Sequence, residues 1–174
     1  DTNVLVSFTG VSSDVIEYRL ANDTSFSGAS WQTFVAGVDA LWTLTPGDNP
    51  KTVYAQIRDS AGNVNSVTIS DGITLDTGAP TSPQITIAGG VAYSAPTGVK
   101  LALSAVSATQ MQVSNCASFN VSAACGPTGW VPYSTTWDYP SANADWALQS
   151  GDGSKTVYVR FRDTAGNVSA NASD

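Results

Sequence analysis

The sequence predicts an all-β protein made of two copies of one β-sandwich unit. The 174-residue chain is rich in Thr, Val and Ser but poor in Lys, Glu and Met, a balance that favours strands over helices. One block of residues recurs in the second half of the chain. Apolar and polar residues alternate within it, as in strands that place one face on a core. Turn signals at intervals of about 8–12 residues indicate a sandwich of short strands.

The repeated block spans residues 47–64 and 151–168, and 12 of its 18 positions are identical. Matching residues also lie upstream, where Trp42 corresponds to Trp146 and Trp31 to Trp130. Further matches pair residues 22–26 with 115–119 and residues 4–11 with 99–106. The second copy carries two insertions, one between Phe119 and Trp130 and one between Trp130 and Trp146, in or near residues 134–141.

Period-two alternation predicts the strands in chain order. Val53, Ala55 and Ile57 form the predicted core face of one strand, and Val157, Val159 and Phe161 form that of its counterpart. The predicted strands are 4–9, 16–20, 51–58, 67–70, 73–75, 85–87, 99–104, 111–113 and 156–162. Residues 59–63 and 163–167 follow the two matching strands as hairpin loops, in which Asp caps the turn and Gly takes a positive φ.

The division between the copies is predicted near Pro80. A short apolar strand ends at Asp76, and Pro80 and Pro83 then stiffen the chain. We expect one domain at residues 1–79 and a second at 80–174, arranged end to end.

Composition excludes several classes of function. The chain contains no His, so it has no Ser-His-Asp or Cys-His nucleophile system and no His-ligated zinc. A net charge of −7 with only 7 basic residues disfavours nucleic acid and anionic membranes as partners. No run approaches the length of a membrane span. We therefore expect neither an enzyme nor a bound cofactor or metal.

The two cysteines, Cys116 and Cys125, lie nine positions apart, and Cys125 lies in the first insertion. Their spacing does not match a C-x-x-C metal or redox motif. In an acidic, His-free β protein we expect a disulfide rather than two free thiols, which places the protein outside the cytoplasm.

Each copy resembles the immunoglobulin-like repeats that occur in tandem in large bacterial secreted and surface proteins. The residues that carry this resemblance are Trp146-x-Leu148, the blocks 151–158 and 162–168, and the linker 75–80, with the same blocks in the first copy. The first copy lacks a counterpart of strand 85–87, and the second lacks a counterpart of strand 73–75. Such a pattern is expected of a piece taken from a tandem array.

The resemblance implies an immunoglobulin-like sandwich and a structural or adhesive role at the bacterial cell surface. The expected partners are a cell-surface glycan or protein and neighbouring repeats of the same chain. An alternative is a carbohydrate-binding accessory module of a secreted polysaccharide-active enzyme. Fold resemblance alone identifies no ligand.

Trp137 and Tyr139 are the candidate ligand-binding residues, because they lie in an insertion that the first copy does without. Aromatic rings on such a loop can stack on sugars or anchor a protein. The alternative is that they cover the end of the sandwich or pack on the disulfide loop. Four aspartates in turns raise the question of calcium, but no D-x-D-x-D-G run exists, and turn capping explains them better: Asp48, Asp59, Asp152 and Asp163.

Overall fold

The computed structural model describes residues 2–94, 98–120, 122, 125–126, 129–138 and 144–174. These residues form β-strands and one 3-10 turn at Ala88–Gly90, which confirms the all-β prediction. Within the same residues, no helix is long and apolar enough to cross a membrane. The chain divides into two compact units, Asp1–Thr77 and Gly78–Asp174.

Unit 1 contains six strands in two sheets. They are β1 (Asn3–Val6), β2 (Val15–Ala21), β3 (Gln32–Thr33), β4 (Ala40–Thr43), β5 (Asn49–Asp59) and β6 (Ile69–Leu75). One sheet has the order β3-β2-β5-β6, and the other pairs β1 with β4 in antiparallel register. The apolar faces of the two sheets pack on each other, with Leu20, Val53, Ala55 and Leu75 buried on the four-stranded side.

The described residues of unit 2 form eight strands. They are β7 (Thr81–Ile87), β8 (Gly98–Val99), β9 (Leu101–Val106), β10 (Gln110–Ser114), β11 (Val131–Pro132), β12 (Trp146–Ala147), β13 (Tyr158–Arg162) and β14 (Ala172–Ser173). Its four-stranded sheet has the order β11-β10-β13-β14, and shorter ladders pair β7 with β9 and β8 with β12. The core is larger than in unit 1 and centres on Met111, Val113, Trp146, Val159 and Phe161.

The internal repeat accounts for this arrangement. The order β3-β2-β5-β6 in unit 1 becomes β11-β10-β13-β14 in unit 2, strand for strand. Strand β7 is the exception, because unit 1 has no matching strand within its described residues. Sequence alternation predicted β5 and β13 but not β3, β4 or β12, whose two to four residues are too few to display a period.

Five of the six residues predicted to face the core from β5 and β13 are buried. Val53, Ala55, Val157, Val159 and Phe161 are buried, as alternation predicts. Ile57 is the exception and is half-buried, at the end of β5. The predicted strands at 67–70 and 73–75 form one continuous strand, β6, which pairs with β5 over seven residues.

Candidate functional site

The disulfide of unit 2 joins Cys116 to Cys125, as the sequence predicts. The S–S distance is 2.05 Å and the Cα atoms lie 5.1 Å apart. Its loop is tied to the end of β10: Asn115 N–H and the Ser114 hydroxyl both donate to the carbonyl of Cys125, at 2.9 and 3.1 Å. The covalent link therefore closes a loop that follows β10 and includes the start of the first insertion.

The neighbouring Asn115 links this loop to the core tryptophan. Its side chain accepts from Trp146 Nε1 at 2.8 Å and donates to the carbonyl of Ala147 at 3.0 Å. In unit 1, Asn22 does the same, accepting from Trp42 Nε1 at 3.0 Å and donating to the carbonyl of Thr43 at 3.2 Å. Each indole N–H is thus satisfied by an asparagine at the end of β2 or β10, which explains why both residue types recur together.

Trp137 is a core residue. Its side chain is 4% exposed, and its ring meets that of Trp146 edge-to-face with 4.9 Å between centroids. A ring at this exposure offers no face to a sugar or a protein, so the binding role suggested for Trp137 gives way to the packing role. Tyr139, the other suggested ligand-binding residue, lies outside the described residues.

Strand register explains why the sequence misplaced Trp137. Thr136 forms a β-bridge with Ala102, and Leu103 N–H donates to the carbonyl of Thr135 at 2.9 Å. Ala102 corresponds to Ser7, whose hydroxyl donates to Asp39 at 2.6 Å. Thr136 therefore takes the place of Asp39.

The residue after Asp39 is the buried Ala40, so Trp137 takes the core position of Ala40. The extra residues of the second copy accordingly follow Trp137 rather than include it. A large ring fills a site where unit 1 has a methyl group, in keeping with the larger core of unit 2.

The aspartates of the two hairpin loops cap their own turns. Asp59 accepts from the backbone N–H groups of Ala61 and Asn63 and from the Asn63 side chain, at 2.9, 2.8 and 2.7 Å. The hydrogen bonds from the Asn63 side chain and backbone lower the pKa of Asp59. At Asp163, burial acts to raise the pKa. The matching hydrogen bonds from the Asn167 side chain and backbone outweigh that effect, so the pKa of Asp163 is also lowered.

Gly62 and Gly166 complete these loops with φ of 86° and 93°, a region that residues with a Cβ rarely adopt. Among the described residues, no group of three or more acidic or Cys side chains is close enough together to hold a metal ion.

A stack of alternating aromatic rings and guanidinium groups covers the outer face of the four-stranded sheet in unit 1. The Arg19 guanidinium lies 5.0 Å from the ring centre of Phe26 and 4.7 Å from that of Trp31. Arg58 lies over the same Trp31 ring at 4.3 Å. Arg19 also donates from Nε to Gln56 at 2.8 Å, across the β2–β5 ladder.

Unit 2 builds the same stack with an arginine from a different strand. Arg160, on β13, lies 4.5 Å from the ring centre of Phe119 and 5.4 Å from that of Trp130, and Arg162 lies over Trp130 at 4.6 Å. Arg160 Nε donates to Gln112, its cross-strand partner on β10, at 2.8 Å.

The cross-strand pair has therefore been exchanged between the units. Arg19 and Gln56 in unit 1 correspond to Gln112 and Arg160 in unit 2. The cross-strand hydrogen bond between arginine and glutamine is the same in both units, although each of the two positions carries the other residue. Aligning the two copies position by position could therefore not reveal it. A search for compensating pairs at neighbouring strand positions would have found it, had the β2–β5 register been known.

Backbone strain marks the phenylalanine of each stack. Phe26 and Phe119 have φ of 52° and 51°, which is uncommon for a residue with a bulky side chain. Such a conformation costs on the order of 1–3 kcal/mol and persists only where the surroundings enforce it. Both rings are buried beneath an arginine, so the stack is part of those surroundings in both units.

A polar cleft of about 720 Å³ lies at one end of unit 2. It is bordered by the segment after β7, which includes the almost fully exposed Tyr93, and by the loop before β13, which includes Asp152 and Lys155. Lys155 Nζ donates to the carbonyl of Ser150 at 3.3 Å, which fixes the loop on this side.

No protein-family model matches the chain, and no curated protein matches its sequence.

Proposed function

We propose that the protein is a non-catalytic structural and adhesive module of a bacterial surface or fibre protein. In this proposal the two units are tandem immunoglobulin-like β-sandwiches that space and present binding loops outside the cell. In each unit, apolar residues of the four-stranded sheet pack against apolar residues of the shorter ladders, which supports the sandwich assignment. The disulfide supports an oxidising, extracellular location.

The exchanged arginine–glutamine pair is the observation that carries the proposal. A ligand site depends on particular side chains at particular positions, whereas a structural contact depends only on the contact being made. The stack is retained while its arginine changes strand, from Arg19 on β2 to Arg160 on β13. The polar outer face of each sheet is therefore used to reinforce the unit, as expected of a repeat that must resist unfolding.

Single-molecule pulling on the whole chain tests this role. Held by its two ends, a tandem structural module should give two separate unfolding events, one for each unit. The unit 2 event should lengthen by about 3 nm after reduction, because the disulfide withholds nine residues at about 3.5 Å each.

The Arg19→Gln variant provides the matched comparison. It should lower the unfolding force of unit 1 and leave the event of unit 2 unchanged, since the stacks are separate in the two units. Gradual extension without distinct force peaks would refute the structural role.

The cleft beside Tyr93 favours a second candidate function, a carbohydrate-binding accessory module. An exposed aromatic ring beside carboxylate, amine and hydroxyl groups is the kind of surface on which sugars stack and form hydrogen bonds. A polysaccharide array probed with the parent chain and with Tyr93→Ala separates the two functions. Binding that the substitution abolishes would favour the accessory module over the spacer.

A further inference from the structure

In unit 2, the residue that follows the second cysteine packs directly on the core tryptophan. A Cβ added to Gly126 would lie 3.1 Å from both Cη2 and Cζ2 of Trp146. Cζ2 lies on the same edge of the indole as Nε1, the group that donates to Asn115. The Trp146 ring is 2% exposed, so Gly126 helps to keep its Nε1 edge away from solvent.

Glycine is needed for this approach. Gly126 has a φ of 78°, which residues with a Cβ rarely adopt, and the Trp146 ring fills the space into which a Cβ would project. Gly129 lies in the same insertion, but a Cβ added there would meet nothing within 4 Å. The close contact with the ring is therefore specific to Gly126.

Hydrogen bonds and the disulfide together hold Cys125, and with it Gly126, against the unit. The Ser114 hydroxyl, which donates to the Cys125 carbonyl, also accepts from the N–H of Cys116 at 3.0 Å. Each such hydrogen bond contributes little net free energy, because water competes for the same groups. The disulfide acts differently, since it removes open conformations of the loop. Without it, Gly126 should leave the ring more often.

Unit 1 shows that the sheets are built without this bond. Asp23 stands in the place of Cys116, and its carboxylate accepts from the backbone N–H of Ser25 at 2.8 Å. That turn leads to Phe26, as the turn after Cys116 leads to Phe119. The four-stranded sheets of the two units nevertheless have the same strand order. Breaking the disulfide should therefore free the loop and leave the sheets of unit 2 in place.

We propose that the Cys116–Cys125 disulfide is a redox-sensitive fastener that holds Gly126 on Trp146. With the bond intact, the Nε1 edge of the ring stays closed to solvent. When a thiol reductant breaks the bond, Gly126 lifts from the ring and this edge becomes accessible, while the sheets remain folded. The bond then has a reversible effect on one side chain, beyond a general gain in stability, whether or not the protein acts as a spacer.

The two sulfurs differ in how well a reductant can reach them. Cys125 is 5% exposed, whereas Cys116 is half-buried. The rate of thiol–disulfide exchange depends on access to the sulfur that is attacked. The external thiolate therefore attacks Cys116 Sγ, the S–S bond breaks, and Cys125 leaves as a thiolate that takes up a proton. A second external thiol then displaces the first from Cys116, so that two external thiols become one disulfide and the protein gains two thiols.

Hydrogen exchange of the indole N–H groups tests the proposal on the whole chain, with and without dithiothreitol. Mass spectrometry confirms the reduction as a gain of two hydrogens. Exchange at Trp146 Nε1 should speed up at least about tenfold on reduction, because the loop then opens without unfolding of the unit. The Trp42 indole, which donates to Asn22 in unit 1, should exchange at its original rate. The backbone amides of Val113 and Val159, paired on β10 and β13, should stay protected.

Two variants separate the contact from the bond. Gly126→Ala places a methyl group against the ring, so it should speed up exchange at Trp146 Nε1 even with the disulfide intact. Gly129→Ala adds the same methyl group in open space and should exchange as the parent does. If Gly126→Ala prevents unit 2 from folding, the comparison of the oxidised and reduced parent still decides the question.

Three outcomes would overturn the proposal. The first is unchanged exchange at Trp146 Nε1 in fully reduced protein. The second is loss of protection at Val113 and Val159 together with Trp146, which would show that the bond holds the whole unit rather than the loop. The third is a folded Gly126→Ala variant in which Trp146 exchanges as slowly as in the parent.

Discussion

Exchanging the residues of the Arg19–Gln56 pair should leave unit 1 almost as stable as the parent, whereas either single substitution should destabilise it. The double change, Arg19→Gln with Gln56→Arg, gives unit 1 the arrangement that unit 2 already has. The arginine would then reach Phe26 and Trp31 from β5 instead of β2.

The expected magnitudes follow from the contacts. Arg19→Gln removes two cation–π contacts at about 0.5–1 kcal/mol each, so it should cost about 1–2 kcal/mol. Gln56→Arg alone sets a second cation directly opposite Arg19, where like charges cost up to about 1 kcal/mol. The double variant should lie within about 0.5 kcal/mol of the parent, which gives a coupling energy of about 2 kcal/mol.

Urea denaturation combined with hydrogen exchange measures this cycle and assigns each transition to its unit. The reverse exchange, Gln112→Arg with Arg160→Gln, provides the matched test in unit 2. Additive single effects, with a double variant as unstable as their sum, would refute the stack as a shared structural contact.

Three further predictions concern the disulfide, Trp137 and the aspartates of the two hairpin loops. Replacing Cys116 and Cys125 by Ser should lower the free energy of unfolding of unit 2 by about 2–3 kcal/mol in urea titrations, because the unfolded chain gains the entropy of an open loop. Trp137→Ala should cost about 3–5 kcal/mol by the same measurement, since it empties a core site, and an unchanged midpoint would contradict its burial. The pKa values of Asp59 and Asp163 are lower in the folded state than in the unfolded state, so the stability they contribute is present above pH of about 4 and lost as pH falls through the folded pKa. Thermal melts between pH 7 and pH 2 should show that loss, and the double Asp→Asn variant should be less stable at pH 7 and less sensitive to acid.

The sequence by itself determined the features that depend on local order along the chain. The all-β class, the alternation in β5 and β13 and the two Asp-to-Asn hairpin loops follow from period and turn chemistry, which involve residues close in sequence. The repeat adds long-range information, because it identifies equivalent strands without any knowledge of their pairing. The disulfide could also be predicted from the sequence, since the chain has only two cysteines and they can pair in only one way.

Only the tertiary structure decided which side chains meet across strands. The insertion in the second copy could be placed before or after Trp137 with equal sense. The Thr136–Ala102 bridge places the extra residues after Trp137, and Trp137 itself lies in the core. The arginine stack depends on β2–β5 and β10–β13 register, because residues in direct cross-strand contact are about 40–50 positions apart in the chain. Burial and register are properties of the assembled sheets, so a linear pattern does not specify them.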